Sequence, residues 1–355
     1  FGPAMESAVS KWKSREDMTD ASAWSAYNAG STDGLNTKDY LGAVSDGRYI
    51  YFVAYRDGSS SYHGKVLRYD TAGSFDSSSS WSAYDAGSTD GLTTKGYQGA
   101  VSDGRYVYFV PIYDGSSYHG RVLRYDTSGS FNSSSSWSAY DAGSTDGLNT
   151  KGYMGAVSDS RYVYFVPNYD GSSRHGNVLR YDTTGDFASS SSWSAYDAGS
   201  TDGLTTKGYH GAISDGRYIY FVPLFDGSSY HGRVLRYDTT GDFSNSGSWS
   251  AYDAGSTDGL TTKGYYGAVS DGRYVYFVPY YDGSSYHGKV LRYDTTAGEA
   301  SYTMRHNSKL SQDFSDSTPG TGFTINTQAG HVYTVTHNEN LPNNTWNHVV
   351  GTYNG

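Results

Sequence analysis

Residues Trp81–Ser136 read WSAYDAGSTDGLTTKGYQGAVSDGRYVYFVPIYDGSSYHGRVLRYDTSGSFNSSSS, and at Trp137 the same text starts again almost letter for letter. Tryptophans heading this unit stand at 24, 81, 137, 193 and 249, so the steps are 57, 56, 56 and 56. The histidines of the YHG-type segment, His63, His119, His175, His231 and His287, are each 56 apart. A fixed period of this size is the mark of a repeat architecture, in which each unit buries its apolar faces against its neighbours.

Within one unit the residues predict four strands. WSAYDA is rich in aromatics, GAVS is short and built from small residues, RYVYFVP is a continuous apolar run, and GRVLRYD closes the unit. An unbroken apolar run is expected of a strand covered on both faces. Asp-Gly between GAVS and RYVYFVP predicts a two-residue hairpin, with Ser160 replacing Gly in the third copy. Gly, Ser, Thr and Asp fill the other connections, which read as loops. Four short strands in a repeat of this length is the pattern of a propeller blade.

The expected fold is therefore all-β: a five-bladed β-propeller of 56-residue, four-stranded blades. GAVS is placed innermost, then RYVYFVP, LRYDT and WSAYDA. The Gly and Ala of GAVS suit a crowded axis, where backbones approach closely. Five copies of each strand type are present, but the first WSAY, Trp24–Ala29, precedes any complete unit, and none follows Thr295. The count predicts that Trp24–Ala29 pairs antiparallel with Lys289–Tyr293 and closes the ring, leaving only protected edges. A linear solenoid is the alternative. The recurring tryptophans are expected to be buried between blades.

Residues 1–17 form a polar lead-in, with a helical turn or two expected within Glu6–Asp17. The propeller is assigned to 18–296. Residues 297–355 break the period and read as a short β-rich segment (FTINT, HVYTVT, WNHVVGTYNG). The chain opens at Phe1 without a signal-peptide pattern, as expected of a mature form or of a piece of a longer protein.

Composition narrows the function. Tyr (38) and Gly (45) are abundant, and tyrosine supplies apolar area with a polar handle. A net charge of −10 argues against nucleic acid and gives no electrostatic reason to bind an anionic membrane. With no cysteine there is neither a disulfide nor a zinc–thiolate site. No apolar run is long enough to span a bilayer, so membrane insertion is not expected.

In blade number the repeats resemble five-bladed propellers of the tachylectin-2 type, and DGRYVYFVP…HGRVLRYDT resembles kelch-like bacterial surface repeats. The double glycine of true kelch repeats and the Trp-Asp ending of WD40 repeats are absent, so no ligand residue is carried over. Trp346–Gly355 (WNHVVGTYNG) is similar to the central strand of laminin-G or concanavalin-like domains, and the chain stops there. Both resemblances imply extracellular or cell-surface, glycan-facing proteins.

Two connections, AGSTDGLTTKGYQ and IYDGSSYH, fall on one face of the expected ring and carry most of its aromatic and charged loop residues. In the second copy these include Asp90, Lys95, Tyr97, Tyr113, Asp114, Tyr118 and His119; in later copies Tyr169, Asp170 and His175, then Asp226, Tyr230 and His231, then Tyr281, Asp282, Tyr286 and His287. Tyr beside Asp and a nitrogen donor matches a sugar, which offers an apolar ring face and paired hydroxyls. The same residues also suit turns and rim packing. Differences between copies concentrate on that face: Leu41, Gln98, Met154, His210 and Tyr266 before GAVS; Tyr55, Ile112, Asn168, Leu224 and Tyr280 after the second strand; and Arg174 in place of Tyr. Such variation suits contact residues altered on a constant scaffold, and it equally suits unconstrained loops.

One histidine per blade does not converge on a metal ion, and DAGSTDG lacks the EF-hand spacing. No G-x-S-x-G, H-E-x-x-H or phosphate loop is present. No cofactor is expected. A glycosidase needs two carboxylates in different environments, whereas equivalent blades offer equivalent acids. The reading is a non-enzymatic, monomeric, multivalent carbohydrate-binding protein. A protein-recognition or adhesion scaffold and a glycoside hydrolase or lyase are its rivals.

Overall fold

The structure, a computed structural model, describes residues 18–57 and 61–296, and the backbone of 301–307, 320–326 and 332–337. It is all-β, with short 3-10 turns between strands. No helix among the described residues is long and apolar enough to cross a membrane. The chain divides into two compact units, Phe1–Tyr293 and Asp294–Gly355. Within the second, Ser301–Asn307, Gly320–Asn326 and Val332–His337 form an antiparallel sheet in chain order. The expected lead-in helix and Trp346–Gly355 lie outside the described residues.

Five antiparallel sheets repeat along the first unit, as the period predicts. Blade two shows the pattern: inner strand Tyr97–Ser102, then Tyr106–Pro111, Arg121–Asp126 and outer strand Trp137–Asp141. Blade one runs from Tyr40–Ser45 to Trp81–Asp85, blade three from Tyr153–Ser158 to Trp193–Asp197, and blade four from Tyr209–Ser214 to Trp249–Asp253. In blades two to four the inner strand has a bulge at its second and third residues. Gly99 sits there at φ 85°, and a Cβ on Gly155 would lie 3.0 Å from the Gly211 Cα of the next blade. Glycine is needed both for the bulge and for the close approach of neighbouring inner strands.

Packing follows from the alternation of side chains along each strand. One face of blade one (Tyr51, Val53, Val66) is buried against the opposite face of blade two (Tyr97, Val107, Phe109, Leu123, Tyr125). Blade two turns Tyr108, Val110 and Val122 onto blade three in the same way, and the arrangement repeats onward. Each face of a middle blade is thus covered by a neighbour, which defines a multi-bladed β-propeller scaffold. Trp81, Trp137, Trp193 and Trp249 are buried at these junctions, 4–7% exposed. Trp137 donates its indole N–H to the Phe131 carbonyl at 2.9 Å and lies stacked on Tyr84 of the preceding blade, 5.0 Å between centroids.

A guanidinium bolts each junction. Arg124 lies over Tyr106 (4.3 Å) in its own blade and Phe187 (4.1 Å) packed beside the next junction's Trp193, and donates to Ser138 Oγ at 3.1 Å. Arg68 and Arg180 repeat the sandwich. The arginine of LRYD therefore faces the blade junction, where its delocalised charge meets aromatic faces.

Two expectations need correction. The tight connection is centred on Gly104 and Arg105 rather than on Asp-Gly: the ladder ends at Ser102 and Val107, and the Asp103 N–H donates to the Tyr106 carbonyl at 3.2 Å. Asp103 Oδ1 accepts the N–H groups of Arg105 and Tyr106, and Oδ2 accepts the Tyr108 hydroxyl at 2.7 Å. The aspartate both makes the turn and satisfies a tyrosine buried between blades, its side chain replacing its backbone carbonyl as acceptor of the Tyr106 N–H. In the third copy Ser160 occupies the glycine position at φ 83°. Ser160→Gly should relieve that backbone and raise the unfolding free energy by about 1 kcal/mol. An unchanged denaturation midpoint would show that the turn carries no strain.

The second correction concerns closure. Blade five has three strands, Tyr265–Ser270, Tyr274–Pro279 and Leu291–Asp294, and among the described pairings none joins Trp24–Ala29 to the last of them. Trp24 is 64% exposed. The N-terminal segment does hold the place of an outer strand next to blade one, for Tyr27 stacks on Trp81 at 5.1 Å as Tyr84 stacks on Trp137. What is missing among the described pairings is the ladder between that segment and the third strand of blade five.

Candidate functional site

The loop residues singled out in the sequence are placed by internal contacts. His119 is buried; its Nε2 bonds the Lys95 carbonyl at 2.9 Å, and its Nδ1 accepts the Arg121 N–H at 3.2 Å. That pair of bonds requires the neutral Nε2–H tautomer. His175, His231 and His287 repeat it through the carbonyls of Lys151, Lys207 and Lys263. Burial, reinforced by the Arg121 guanidinium, pushes His119 down to about 4; burial and Arg233 do the same for His231. Among the described residues no group of three or more His, Cys, Asp or Glu is assembled that could hold a metal ion.

Tyr97 is fully buried at the head of its inner strand, its hydroxyl bonded to the Arg121 carbonyl at 3.2 Å. Asp114 caps the N–H groups of Ser116 and Ser117 and pairs with Arg121; Asp226 and Asp282 do likewise with Arg233 and Lys289. In blade three Asn177 stands where the cation would be, and Asp170 accepts instead from Asn149 at 2.8 Å. Tyr113 bridges Tyr118, whose ring meets Tyr169 of the next blade edge-on at 4.9 Å; Tyr230 meets Tyr281 in the same way at 5.0 Å. Tyr286 is 73% exposed. Arg174, the odd residue of this series, donates to Asn168 Oδ1, and Asn168 in turn donates to the Tyr209 carbonyl at 2.8 Å. Two departures from the repeat are thus one coupled exchange.

The residues before GAVS form a different group. They follow the tyrosine that heads each inner strand, buried in blades two to five and half-buried in blade one, and the bulge there re-aims them. Gln98 of blade two reaches His210 of blade four, Nε2 to Nε2 3.4 Å, across the blade between them. His210 stacks on Tyr266 (3.6 Å), which packs on Tyr280 (4.7 Å), joining the two variable series in blade five. Leu41 and Met154 hold the equivalent places in blades one and three. Burial pushes His210 down to about 4, so this group presents a neutral imidazole at physiological pH.

A third feature was not singled out in the sequence. At the outer rim, where blades one and two meet, a groove of about 520 Å³ is lined by Tyr84, Asp85, Ser88, Thr89, Asp90, Ser134, Ser135 and Trp137. One junction earlier a groove of about 430 Å³ is lined by the matching Tyr27, Asn28, Ser31, Thr32, Asp33, Ser78, Ser79 and Trp81, with Ser82 and Asn132. Asp90 takes φ 52°, and its Oδ2 accepts the Ala139 N–H of the neighbouring outer strand at 2.8 Å. Asp33, Asp146 and Asp202 cap Ala83, Ala195 and Ala251 in the same way. The carboxylate covers an edge N–H that would otherwise be free for strand addition. The partner lies 49 residues away, which is why the sequence shows this aspartate only as a turn residue.

No protein family's sequence profile matches the chain, and no curated protein matches it. Among solved structures it is similar to YjhT (TM-score 0.43, 12% identity, covering 83% of this chain and 92% of that one). It is also similar to a hypothetical selenium-binding protein from Sulfolobus tokodaii (0.44, 12%, 84% and 66%) and to Kuenenia stuttgartiensis hydrazine synthase (0.39, 11%, 86% and 68%). Likeness this distant carries no argument about function, and a propeller scaffold alone does not decide between an enzyme and a binding protein.

Proposed function

We propose that the protein is a non-catalytic, multivalent carbohydrate-binding propeller of the cell surface or extracellular space, with its glycan sites in the rim grooves between blades. The supporting observation is the repetition of the groove: an aromatic pair, carboxylate or amide groups and serine hydroxyls recur at successive junctions. A sugar ring has an apolar face for Tyr84 and vicinal hydroxyls for Asp85 and the serines, and the groove is open enough to admit a chain. The loop residues Asp114, His119 and their counterparts fix the loops of each blade through Arg121, the Lys95 carbonyl and their equivalents. Near-identical copies favour avidity, which can multiply a weak affinity by about 10²–10⁴, over an acid–base pair tuned for hydrolysis. The five-bladed tachylectin-like and kelch-like resemblances, and the laminin-G-like motif at Trp346–Gly355, agree with this reading.

Titration with oligosaccharides, followed by indole fluorescence and by retention on polysaccharide resins, tests it. Asp85→Ala removes the groove's hydrogen-bonding carboxylate together with its cap on the Gly87 N–H. Combined with Asp141→Ala and Asp197→Ala at the next junctions, it should lower retention by at least tenfold in a protein whose circular dichroism still shows the native fold. A folded protein retained by no glycan would overturn the proposal.

A second reading rests on the mixed group Gln98, His210 and Tyr266, whose side chains differ between copies while the scaffold does not. In that reading it selects a protein partner at the cell surface. Exchanging His210 and Tyr266 for the residues of other copies should then alter partner capture without altering glycan retention.

A further inference from the structure

The two ends of the array are unlike the middle. On blade five Val269, Val278 and Val290 are 58%, 46% and 59% exposed, and Tyr252 of blade four's outer strand is 72% exposed. The matching Val110 and Val122 of blade two are fully buried, because blade three covers them. Tyr84 and Tyr140 each stack on the indole of the next blade, whereas among the described residues Tyr252 meets none. Asp202 caps the outer strand of its neighbour through Ala251, and Asp258, in the same turn at φ 53°, has no such partner among the described residues. The third strand of blade five starts at Leu291, while that of blade four starts at Arg233, two positions earlier in the repeat.

At the other end, Trp24 already donates its indole N–H to the Met18 carbonyl at 2.9 Å, as Trp81 does to Phe75. It is prepared for a junction and remains 64% exposed. What blade five lacks is a Trp-headed outer strand and the face of a following blade, and the opposite end of the chain carries both. The internal junctions therefore say what covers the free face. An in-chain partner has the higher effective concentration, yet in this structure neither end covers the other, and Trp24 and Val290 are both exposed.

We infer that the free face of blade five binds, head to tail, the Trp24–Ala29 strand and blade-one face of a second copy of this chain. The contact is heterologous, and it repeats between copies the junction that each chain makes internally. It replaces the expectation of a monomer. The register of the other blades, Arg236 opposite Ser250, places Arg292 opposite Ser25. Val290 then meets apolar side chains of the incoming blade, Tyr252 receives Trp24, and Asp258 caps Ala26.

The chain has no native cysteine, so cross-linking can be read without background. Paired residues across a ladder stand within the Cα separation a disulfide accepts, about 4.4–6.8 Å. Full-length Ser25→Cys and Arg292→Cys variants are mixed and oxidised, and the Ser25→Cys/Arg292→Cys double variant is oxidised separately. The expected result is a disulfide-linked dimer containing one chain of each kind, and dimers and larger species from the double variant. Sedimentation should show association that rises with concentration and is lost at least tenfold in Val290→Lys/Tyr252→Ser. A monomeric internal cross-link in the double variant would overturn the inference in favour of a self-closed ring. Absence of any cross-link in a folded monomer would overturn it as well, showing that the face is covered otherwise.

Discussion

Trp137→Ala should lower the unfolding free energy by about 3–5 kcal/mol, the range expected when a fully buried aromatic is truncated. The indole is 4% exposed, is stacked on Tyr84 from the preceding blade, and packs at 4.7 Å on Tyr125 and 5.5 Å on Phe131. Its N–H holds the Phe131 carbonyl, which would be left without that donor. Because the tryptophan touches two blades, the loss falls on a junction as well as on one sheet. In an array of near-equal units stability is a sum of unit and interface contributions, so a broken junction should also divide the unfolding transition. Chemical denaturation monitored at several probes measures both effects. A loss under about 1 kcal/mol with one unbroken transition would place the indole outside the cooperative core.

Acidification from pH 7 to about pH 4.5 should destabilise the fold by several kcal/mol, before the carboxylates titrate. His119 and His231 are held down to about 4 by burial and by the neighbouring Arg121 and Arg233, against an ordinary value of 6.5. His210 lies at about 4 through burial, and burial lowers His175 in the same direction. Between pH 6.5 and 4 the unfolded chain binds protons that the folded chain refuses, so unfolding is favoured as pH falls. Each tenfold loss of proton affinity corresponds to about 1.4 kcal/mol, so His119 and His231 contribute on the order of 2–3 kcal/mol each. Geometry gives the same sign: protonated Nδ1 would face the Arg121 N–H instead of accepting from it. Urea midpoints at pH 7 and 4.5 test this, and His119→Gln should flatten the slope. Equal midpoints at both pH values would show that the histidines remain solvated. Further acid then reaches Asp182 and Asp238, held at about 2 against their partial desolvation by Arg161 and Arg217, whose help is lost as pH falls through that value.

The strands, their order and the sheet faces were legible because the period repeats one solution several times. An apolar run such as YVYFVP, bounded by turn residues and recurring at constant spacing, has few places to go except between two sheets. The burial of Trp137 and its counterparts was legible for the same reason. The candidate site was legible in part. Gln98, His210 and Tyr266 stood out because they differ against a constant background, and they do meet one another. Asp114 and His119 stood out by residue type alone, and type does not distinguish a ligand from a strut: their partners are a guanidinium and a backbone carbonyl of the same blade. The rim grooves were not legible, since each is made by two segments about 50 residues apart, Tyr84 and Asp90 from one blade and Ser134, Ser135 and Trp137 from the next.

What the amino-acid sequence by itself determines is the repeated unit: four strands, alternating faces, a turn aspartate and a tryptophan at each junction, all set by contacts within a few dozen residues. What the tertiary structure alone decides is how the ends of the array are completed. Counting strands pairs Trp24–Ala29 with Lys289–Tyr293, but a count carries no distance. Tyr27 does reach Trp81, as an outer strand reaches the next blade, yet Trp24, Tyr252 and Val290 stay exposed. The physical reason is that each junction depends only on its two neighbours, while joining first to last depends on the small rotation between blades summed over the whole array. No single residue encodes that sum.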